Sequence, residues 1–209
     1  MSGRVGRGEA IGREAANARP LRADAQRNVD GLLQAAKTVF ATSGVDAPVR
    51  EIAEKAGVGV GTVYRHFPQR ADLIAAVFRR EIDACADAAP TLAAAHPPGE
   101  ALARWIQRYA AFVVTKRGLA TALHSGDPAY DALPAYFQRR LQPALRGLLE
   151  AAAAAGEARA DIDPDELLGA VGSLCMRARD DRPDQPRRMV ELLVDGLRRG
   201  GKAPVGLPS

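Results

Sequence analysis

The chain has 209 residues and a formal net charge of +4 at pH 7; 47% of its residues are hydrophobic and 26% are charged. These proportions are typical of a globular protein and exclude a collagen-like or highly charged disordered chain. Cys85 and Cys175 are too far apart in sequence to indicate a disulfide framework or a zinc motif. Because no apolar signal core or membrane-length apolar stretch is present, we expect a cytoplasmic protein without a membrane partner.

The positive charge is concentrated at the N-terminal end. Residues 1–80 carry a net charge of +5, whereas residues 81–209 carry a net charge of −1. A phosphate-binding surface needs such an excess, although charge alone is equally consistent with a solubilising tail. The chain is rich in alanine, leucine and arginine and lacks β-branched runs of strand length, which predicts an all-α fold.

The first predicted elements lie between residues 1 and 70. Residues 1–22 lack sustained periodicity and are predicted to form a disordered basic arm. From Asp24 onwards a helical apolar stripe appears, formed by Val29, Leu32, Leu33, Ala36 and Phe40. Gly44 is predicted to end this helix. A second helix is predicted over residues 48–56, a third over residues 61–67, and a fourth from Arg70.

Glycines and prolines divide the rest of the chain into pieces of helical length. The predicted helices are 100–116, 118–125, 131–155, 164–179 and 184–199, and Pro134 and Pro143 are candidates to kink the long one. No strand-like alternation and no repeat of fixed period is present. The pattern therefore favours a helical bundle after residue 80.

The second and third predicted helices have the features of a DNA-binding helix-turn-helix. Such a unit needs a small residue where the helices cross, which Ala53 supplies. It needs a residue that tolerates positive φ at the turn four positions later, which Gly57 supplies. It also needs an apolar residue that packs the second helix on the first, and Val63 has that place. A helical hairpin without DNA binding is the alternative interpretation.

The outward face of the third helix has side chains suited to DNA. Hydroxyl, phenol, guanidinium and imidazole groups bind phosphates and base edges in the major groove. On this face they come from Thr62, Tyr64, Arg65 and His66. Gly61 would allow the backbone to approach the duplex closely.

The run from Ile52 to Leu73 reads IAEKAGVGVGTVYRHFPQRADL. It resembles the signature of the tetracycline-repressor (TetR) family, IAxxAGVSxGTxYxxFxxKxxL. The resemblance covers roughly residues 24–80 and includes the Tyr64-x-x-Phe67 pair. Gly59 departs from the usual serine, which removes an expected helix cap, and Arg70 replaces the usual lysine.

The resemblance implies a set of DNA contacts. Thr62 and Tyr64 would contact phosphate or a thymine methyl group, and Arg70 would anchor the backbone. Arg50 would reach a guanine edge or a phosphate, His66 would bind a phosphate, and Arg65 would influence sequence preference. The complete predicted DNA-binding set is Arg50, Gly59, Val60, Gly61, Thr62, Tyr64, Arg65, His66 and Arg70. Contact between the basic arm and the minor groove stays open, with a solvated tail preferred.

The same resemblance implies the domain organisation and the partners. A helix-turn-helix domain would span residues 23–69, an effector-binding and dimerisation domain residues 70–200, and a flexible tail residues 201–209. The expected partners are a double-stranded DNA operator, a small-molecule effector and a second copy of the chain. The last two helices would form the dimer interface, through Leu167, Val171, Leu174, Met189, Leu193 and Leu197, although such stripes usually belong to a chain's own core.

The effector pocket is expected among aromatic side chains of the C-terminal domain. Trp105, Tyr109 and Phe112 share one helical face, and further aromatic or imidazole groups could lie opposite. The predicted pocket set is Phe78, Trp105, Tyr109, Phe112, His124, Tyr136 and Phe137, with Tyr130 as a further neighbour. For each of these residues a place in the core is the preferred alternative.

Catalysis is not expected. The run from Leu123 to Asp127 contains histidine, serine and aspartate, but the chain has no nucleophile elbow and no phosphate loop. The three histidines lack metal-ligand spacing, and no cofactor is predicted. The resemblance to the TetR family implies a ligand-responsive repressor instead. The alternatives are a ligand-independent architectural protein and a small-molecule-binding helical module.

Overall fold

The computed structural model of the chain describes residues 8–117, 123, 125–176 and 184–198, with side chains described from residue 26 onwards and not for residues 115–117. All regular structure in these ranges is helical, as the sequence predicts. The α-helices of the described ranges are α1 (Gly8–Ser43), α2 (Val49–Ala56), α3 (Val60–His66), α4 (Arg70–Ala86), α5 (Ala88–Ala95), α6 (Pro98–Arg117), α7 (Leu133–Ala154), α8 (Pro164–Met176) and α9 (Gln185–Arg198). A short 3-10 helix, Pro128–Tyr130, precedes α7.

The chain divides into two compact units. The first, Met1–Leu73, contains α1 to α3 and the first residues of α4. The second, Ile74–Ser209, contains the rest of α4 and the helices α5 to α9. The division therefore falls inside a continuous helix, three residues after its start at Arg70.

The first unit has a small apolar core, where the predicted stripe of α1 meets the two short helices. Leu32, Leu33, Ala36 and Phe40 are buried, as are Ile52 and Ala53 of α2 and Val63 of α3. The small side chain of Ala53 and the apolar side chain of Val63 thus lie in the core, as the helix-turn-helix pattern predicts. Burial of such side chains is the main source of stability for helices this short.

Glycine ends two helices of the first unit in the predicted way. Gly57 has φ +68 and its N–H donates to carbonyl groups of α2, so it is a left-handed helix cap. Gly44, one residue after the end of α1, has φ +81. Both positions require a conformation that other L-residues rarely adopt, and both turns could be located from the sequence.

The first helix begins much earlier than the sequence predicts. Its backbone is helical from Gly8, whereas a disordered arm was expected over residues 1–22. Residues 8–22 are rich in alanine, arginine and glutamate, which favour helix, but they also include Gly12 and Pro20, which oppose it. Neither periodicity nor propensity therefore predicts this part of α1.

The core of the second unit surrounds α6. Trp105 and Ile106 of this helix are buried and lie in one core with Ile82, Leu141 and Val171. The indole N–H of Trp105 donates to the carbonyl of Cys85 over 2.9 Å, so this buried polar group has a partner. These contacts hold α4, α6, α7 and α8 around a shared centre.

The boundaries of the later helices agree with the sequence in most places. Pro143 lies inside α7 without ending it, and Pro134 lies in its first turn. Helix α5 was missed because Pro90 was treated as a breaker; it occupies the first turn, where a backbone N–H has no helical partner. The predicted helix 118–125 lies almost wholly outside the described residues. None of the described helices is long and apolar enough to cross a membrane.

Candidate nucleic-acid interface and small-molecule cavity

The outer face of α3 is open to solvent. Tyr64 is 50% exposed and Val60 is 37% exposed, although both are large apolar or aromatic side chains. Thr62 is half-buried, and the remaining exposed members of the predicted set are Gly59, Gly61, Arg65 and His66. The opposite side of the helix buries Val63. The helix therefore presents phenol, guanidinium and imidazole groups on one accessible face.

Two glycines at the start of α3 have no packing role within the chain. Gly59 is the N-cap residue and makes no side-chain cap bond, as expected from the missing serine. A Cβ atom built at Gly59 or at Gly61 meets no other atom within 4 Å, and neither residue has positive φ. Because glycine inside a helix costs about 1 kcal/mol relative to alanine, the glycine at position 61 has a cost without an intramolecular benefit.

Arg70 has a partner within its own unit. Its guanidinium donates to the carbonyl of Val45, in the loop between α1 and α2. The N–H of Gln69 donates to the carboxylate of Asp72 over 3.0 Å, which holds the first turn of α4. A guanidinium has five N–H donors, so the bond to Val45 orients Arg70 and leaves donors for another acceptor.

Arg50 projects from α2 into solvent. Its side chain is 82% exposed and pairs with Glu54, one turn later, over 2.8 Å. Such an exposed pair stabilises a helix by only about 0.3–0.5 kcal/mol. The hydroxyl of Ser43 donates to Glu51 over 2.8 Å and ties the end of α1 to the same helix. Arg50 can therefore leave Glu54 for a phosphate at little cost.

The second unit contains a cavity of about 330 Å3 beside α4 and α7. Phe78, Tyr130 and Leu133 are buried, whereas Pro134 and Gln138 are exposed, so the cavity has an apolar floor and opens at the latter two. Its walls are completed by Leu123 and Phe137. Two of the predicted pocket residues, Phe78 and Phe137, line this cavity.

A second, more open cavity of about 440 Å3 shares a wall with the first. Phe137 and Gln138 line both cavities. The second cavity is also lined by Tyr109, whose hydroxyl donates to the carbonyl of Leu168 over 3.2 Å. Its other lining residues are Asp165, Gly169, Gly172, Ser173 and Met176.

Two other residues predicted for the pocket lie in the protein core and not in the lining of either cavity. Trp105 and Phe112 are buried in an aromatic cluster behind the cavities, where Phe112 contacts Phe78 at 5.4 Å between ring centroids. Neither lines the two cavities, so for these residues the core interpretation describes the structure. His124 lies outside the described residues.

Tyr136 was predicted in the pocket but lines neither cavity. Its hydroxyl donates to Asp83 of α4, and Arg140 binds the same carboxylate at 2.7 Å and Asp87 at 2.7 Å. Burial and the bond to Asp83 raise the pKa of the Tyr136 phenol. The assignment failed because Tyr136 is 100° around α7 from Phe137, and so faces a different neighbour.

Gln138, Leu133 and Pro134 were missed as cavity residues. They lie with Phe137 at the helical spacing i, i+1, i+4 and i+5, which forms one face of α7. The sequence contains this spacing, but the prediction of the pocket started from aromatic side chains and did not consider their apolar and amide neighbours. Gln138 is the residue that adds a polar group to the cavity.

Half of the predicted dimer-interface residues are buried within their own chain. Leu167, Val171 and Leu197 are at most 5% exposed and belong to the core of the second unit, so they cannot form an outer surface. The prediction placed these residues on the outward face of each helix, but they lie on the face that packs against the chain's own core. Leu174, Met189 and Leu193 are half-buried, and the exposed apolar side chains of these helices are Met176 and Leu192.

The described thiols are buried and the described residues hold no metal cluster. Burial raises the pKa of Cys85 to about 12, and it also raises the pKa of Cys175. Among the described residues, no group of three or more histidine, cysteine, aspartate or glutamate side chains could hold a metal ion. The site is therefore an exposed polar helix face in one unit and apolar cavities in the other.

Family models match most of the described chain. Residues 32–77 match the model described as bacterial regulatory proteins, tetR family. Residues 97–199 match the model described as transcriptional regulator SbtR-like, C-terminal domain. The first match contains α2 and α3, and the second contains α6 to α9.

Solved structures and curated relatives agree with these matches. A TetR transcriptional regulator from Streptomyces coelicolor is 40% identical, with a TM-score of 0.72 over 82% of this chain and 99% of that one. A TetR transcription regulatory protein from Mycobacterium vanbaalenii is 37% identical, with a TM-score of 0.65 over 86% of this chain and 99% of that one. HTH-type transcriptional regulators of Staphylococcus aureus are 36% identical over 64 residues, which span 30% of this chain and only 35% of their own length.

Proposed function

The chain belongs to the TetR family of DNA-binding transcriptional regulators, and we propose that it is a ligand-responsive repressor that binds a palindromic operator as a homodimer. The observation that carries the DNA-binding part is the exposed face of α3, with Tyr64 half-exposed opposite the buried Val63. An aromatic side chain with this exposure has no role in the chain's own core. It is suited to contact with a duplex.

The proposed mechanism uses two copies of the helix-turn-helix. A dimer would insert its two α3 helices into successive major grooves, about 34–36 Å apart. Bound there, it would block a promoter. A ligand that binds the DNA-free form more tightly than the DNA-bound form would weaken operator binding by the ratio of the two affinities.

The cavity beside α4 and α7 supports a ligand-responsive function over a purely architectural one. A ligand-independent protein would have no need for an apolar cavity of about 330 Å3 in its second unit. This volume is at the lower end of the range of small-molecule sites in proteins. We propose that the effector binds between Phe78 and Phe137.

The outer faces of α8 and α9 are the proposed dimer interface. Leu192 is 62% exposed and Met176 is 41% exposed, so each helix has a large apolar side chain that is open to solvent. A surface cleft along α9 is lined by Met189 and Leu192 together with charged side chains. Burial of this apolar surface against a second copy would provide the energy for association.

DNA binding is tested with the full-length protein and the intergenic DNA upstream of its gene. We expect a saturable complex by fluorescence anisotropy that unlabelled operator displaces and unrelated DNA does not. Tyr64→Ala is expected to weaken DNA binding at least tenfold. Tyr64→Phe keeps the ring and removes the hydroxyl, so it distinguishes the contribution of the hydroxyl from that of the ring. Absence of a sequence-specific complex at moderate salt would contradict the proposal.

Dimerisation is tested by analytical ultracentrifugation. Leu192→Glu places a charge in the proposed interface and is expected to convert the dimer to a monomer. Val114→Glu is the matched control, because Val114 is also an exposed apolar residue, at 42%, but lies on α6. A dimer that survives Leu192→Glu, or one that dissociates equally with Val114→Glu, would exclude this interface.

A further inference from the structure

The walls of the cavity beside α4 and α7 contain no charge among the described residues. Six of the lining residues are apolar or aromatic, and the remaining one is an amide: Phe78, Leu123, Tyr130, Leu133, Pro134, Phe137 and Gln138. An ion that enters such a cavity loses its hydration without gaining a partner. The lining therefore favours uncharged ligands over ions, and the volume of the cavity limits their size.

Two arginines of α7 follow the residues of this wall in sequence and have partners elsewhere. Arg140 binds Asp83 at 2.7 Å and Asp87 at 2.7 Å, and it lies outside the cavity lining. Arg139 lies over the ring of Tyr136, with 5.3 Å between its Cζ atom and the ring centroid, and it also lies outside the lining. Neither of these two guanidinium groups is among the groups that line the cavity.

Gln138 carries the exposed polar group of the cavity lining, whereas Tyr130, the other lining residue with a polar atom in its side chain, is buried. Its side chain is exposed at the cavity mouth, and no hydrogen bond joins it to another described residue. An amide both donates and accepts, so it can bind a carbonyl, a hydroxyl or an N–H group of a neutral molecule. A single amide at the rim of an apolar wall orients a ligand with one polar end.

We propose that the effector is an uncharged, largely apolar molecule whose body lies between Phe78 and Phe137 and whose one polar group hydrogen-bonds to Gln138. This inference rests on the proposed ligand-responsive function, and it names the chemical class of the ligand. Carboxylates, sulfonates and protonated amines fall outside the class, because the described lining residues offer them no counter-ion.

The second cavity is suited to a different class of ligand, because its lining includes an acidic side chain. Its lining contains Asp165, whose carboxylate accepts a hydrogen bond from Gln142 over 2.7 Å and has no cationic partner among the described side chains. A cationic molecule would find its counter-ion there, on the far side of Phe137 and Gln138. Binding of a cation in place of a neutral molecule is therefore a distinct outcome that the same experiment detects.

Two dyes with one scaffold test the proposal. 1-N-phenylnaphthylamine is neutral, and 8-anilinonaphthalene-1-sulfonate has the same ring system with an added sulfonate. We expect saturable binding of the neutral dye to the full-length protein, followed by its fluorescence, with an affinity at least tenfold higher than that of the sulfonate. Equal or tighter binding of the sulfonate would overturn the proposal.

The variant Gln138→Lys tests the location. It places a cation at the cavity mouth, so the preference for the neutral dye should shrink or reverse. Gln107→Lys is the matched control, since it adds the same charge to an exposed glutamine on α6 that lines neither cavity. If both variants, or neither, change the ratio of the two affinities, the dyes bind elsewhere and the assignment of the cavity is wrong.

DNA binding is measured in parallel to separate two kinds of failure. A protein that binds operator but neither dye retains the proposed regulatory function and contradicts the proposed ligand class. A protein that binds the neutral dye tenfold more tightly but keeps its operator affinity supports the ligand class and contradicts ligand-responsive repression. A preference for an amine-bearing dye that Asp165→Asn removes would overturn the neutral class in favour of a cation.

Discussion

The hydroxyl of Tyr136 lies 2.6 Å from Oδ1 and 2.8 Å from Oδ2 of Asp83 and donates to this carboxylate. The guanidinium of Arg140 binds the same carboxylate and reaches Asp87 one turn later. Two side chains of α7 therefore hold Asp83 of α4 and Asp87, the residue that follows α4. The same two helices form the floor and wall of the cavity through Phe78 and Phe137, so the ionic cluster fixes the spacing on which the cavity depends.

Asp83→Asn is expected to destabilise the protein by about 1 kcal/mol. The substitution keeps the shape but removes the charge that Tyr136 and Arg140 share, and hydrogen bonds to charged groups contribute about 1.5–3 kcal/mol when buried. A figure below this range, about 1 kcal/mol, is expected because Asp83 and Arg140 are each 36% exposed and solvent weakens the interaction. Urea unfolding monitored by circular dichroism measures the change.

The control for this prediction is the other acid of the cluster, which directly follows α4. Asp87 binds only Arg140 in the cluster and is 70% exposed, so Asp87→Asn should cost less than about 0.5 kcal/mol. Equal costs for the two substitutions would show that Tyr136 adds nothing to the cluster.

Gly61→Ala is expected to change stability and DNA affinity in opposite directions. Alanine should stabilise α3 by about 0.5–1 kcal/mol because of its higher helix propensity, and the new Cβ atom meets nothing within the chain. The same atom would meet the DNA backbone, so operator affinity should fall. Thermal unfolding and anisotropy give the two quantities.

Gly31→Ala provides the comparison for that experiment. Gly31 is an exposed glycine inside α1, and a Cβ atom there also meets nothing within 4 Å. The substitution should stabilise the protein by a similar amount and leave operator affinity unchanged. If Gly61→Ala keeps full affinity as well, the close approach of α3 to DNA is not needed.

Arg70→Ala is expected to affect both folding and phosphate binding. Loss of the bond to the Val45 carbonyl should cost about 1 kcal/mol of unfolding free energy. Loss of one phosphate contact should reduce the slope of log affinity against log salt by about 0.9. If Arg70 had a purely structural role, the substitution would lower stability but leave the slope unchanged. Arg79 is an exposed arginine of the second unit, and Arg79→Ala, the control, should alter neither quantity.

The thiol of Cys85 is expected to be unreactive in the native protein. Burial raises its pKa from 9.0 to about 12, so its thiolate fraction at pH 8 should be about a thousandfold lower than in denaturant, and its reaction with a disulfide reagent correspondingly slow. A native Cys85 that reacts at the denatured rate would contradict the burial.

The same pKa shift makes a contribution to stability that depends on pH. The unfolded thiol ionises above about pH 9 while the native thiol keeps its proton up to about pH 12. The contribution is thus complete below pH 9 and declines as the pH rises through that window. The stability of Cys85→Ala should fall less steeply between pH 9 and pH 11 than that of the natural protein.

Local signals in the sequence were sufficient for the helix-turn-helix. Ala53, Gly57 and Val63 are separated by only a few residues, and each position has a steric requirement that its residue meets. The exposed face of α3 followed from the same spacing. No such local rule describes the second unit, where partners are distant in sequence. Tyr136 and Asp83 are 53 residues apart, and nothing in either segment specifies the other.

The amphipathic stripes of α8 and α9 were recognised as helical, but half of the residues assigned to a dimer interface are buried within their own unit. Leu167, Val171 and Leu197 have the periodicity of a packing face, and that periodicity is the same for a face that meets its own chain and one that meets a second chain. Only the three-dimensional structure distinguishes them, through the exposure of Leu192 and Met176. The cavity likewise depends on which helices meet.

The wall that Phe137 and Gln138 form between the two cavities has an evolutionary consequence. Shortening a single side chain there, as in Phe137→Ala, would merge two existing volumes and admit a longer molecule without rebuilding the core. Under the proposed function, the range of effectors would thus broaden in one mutational step while α3 stays unchanged. For a biosensor, Phe137 is the position to diversify first when a new analyte is sought.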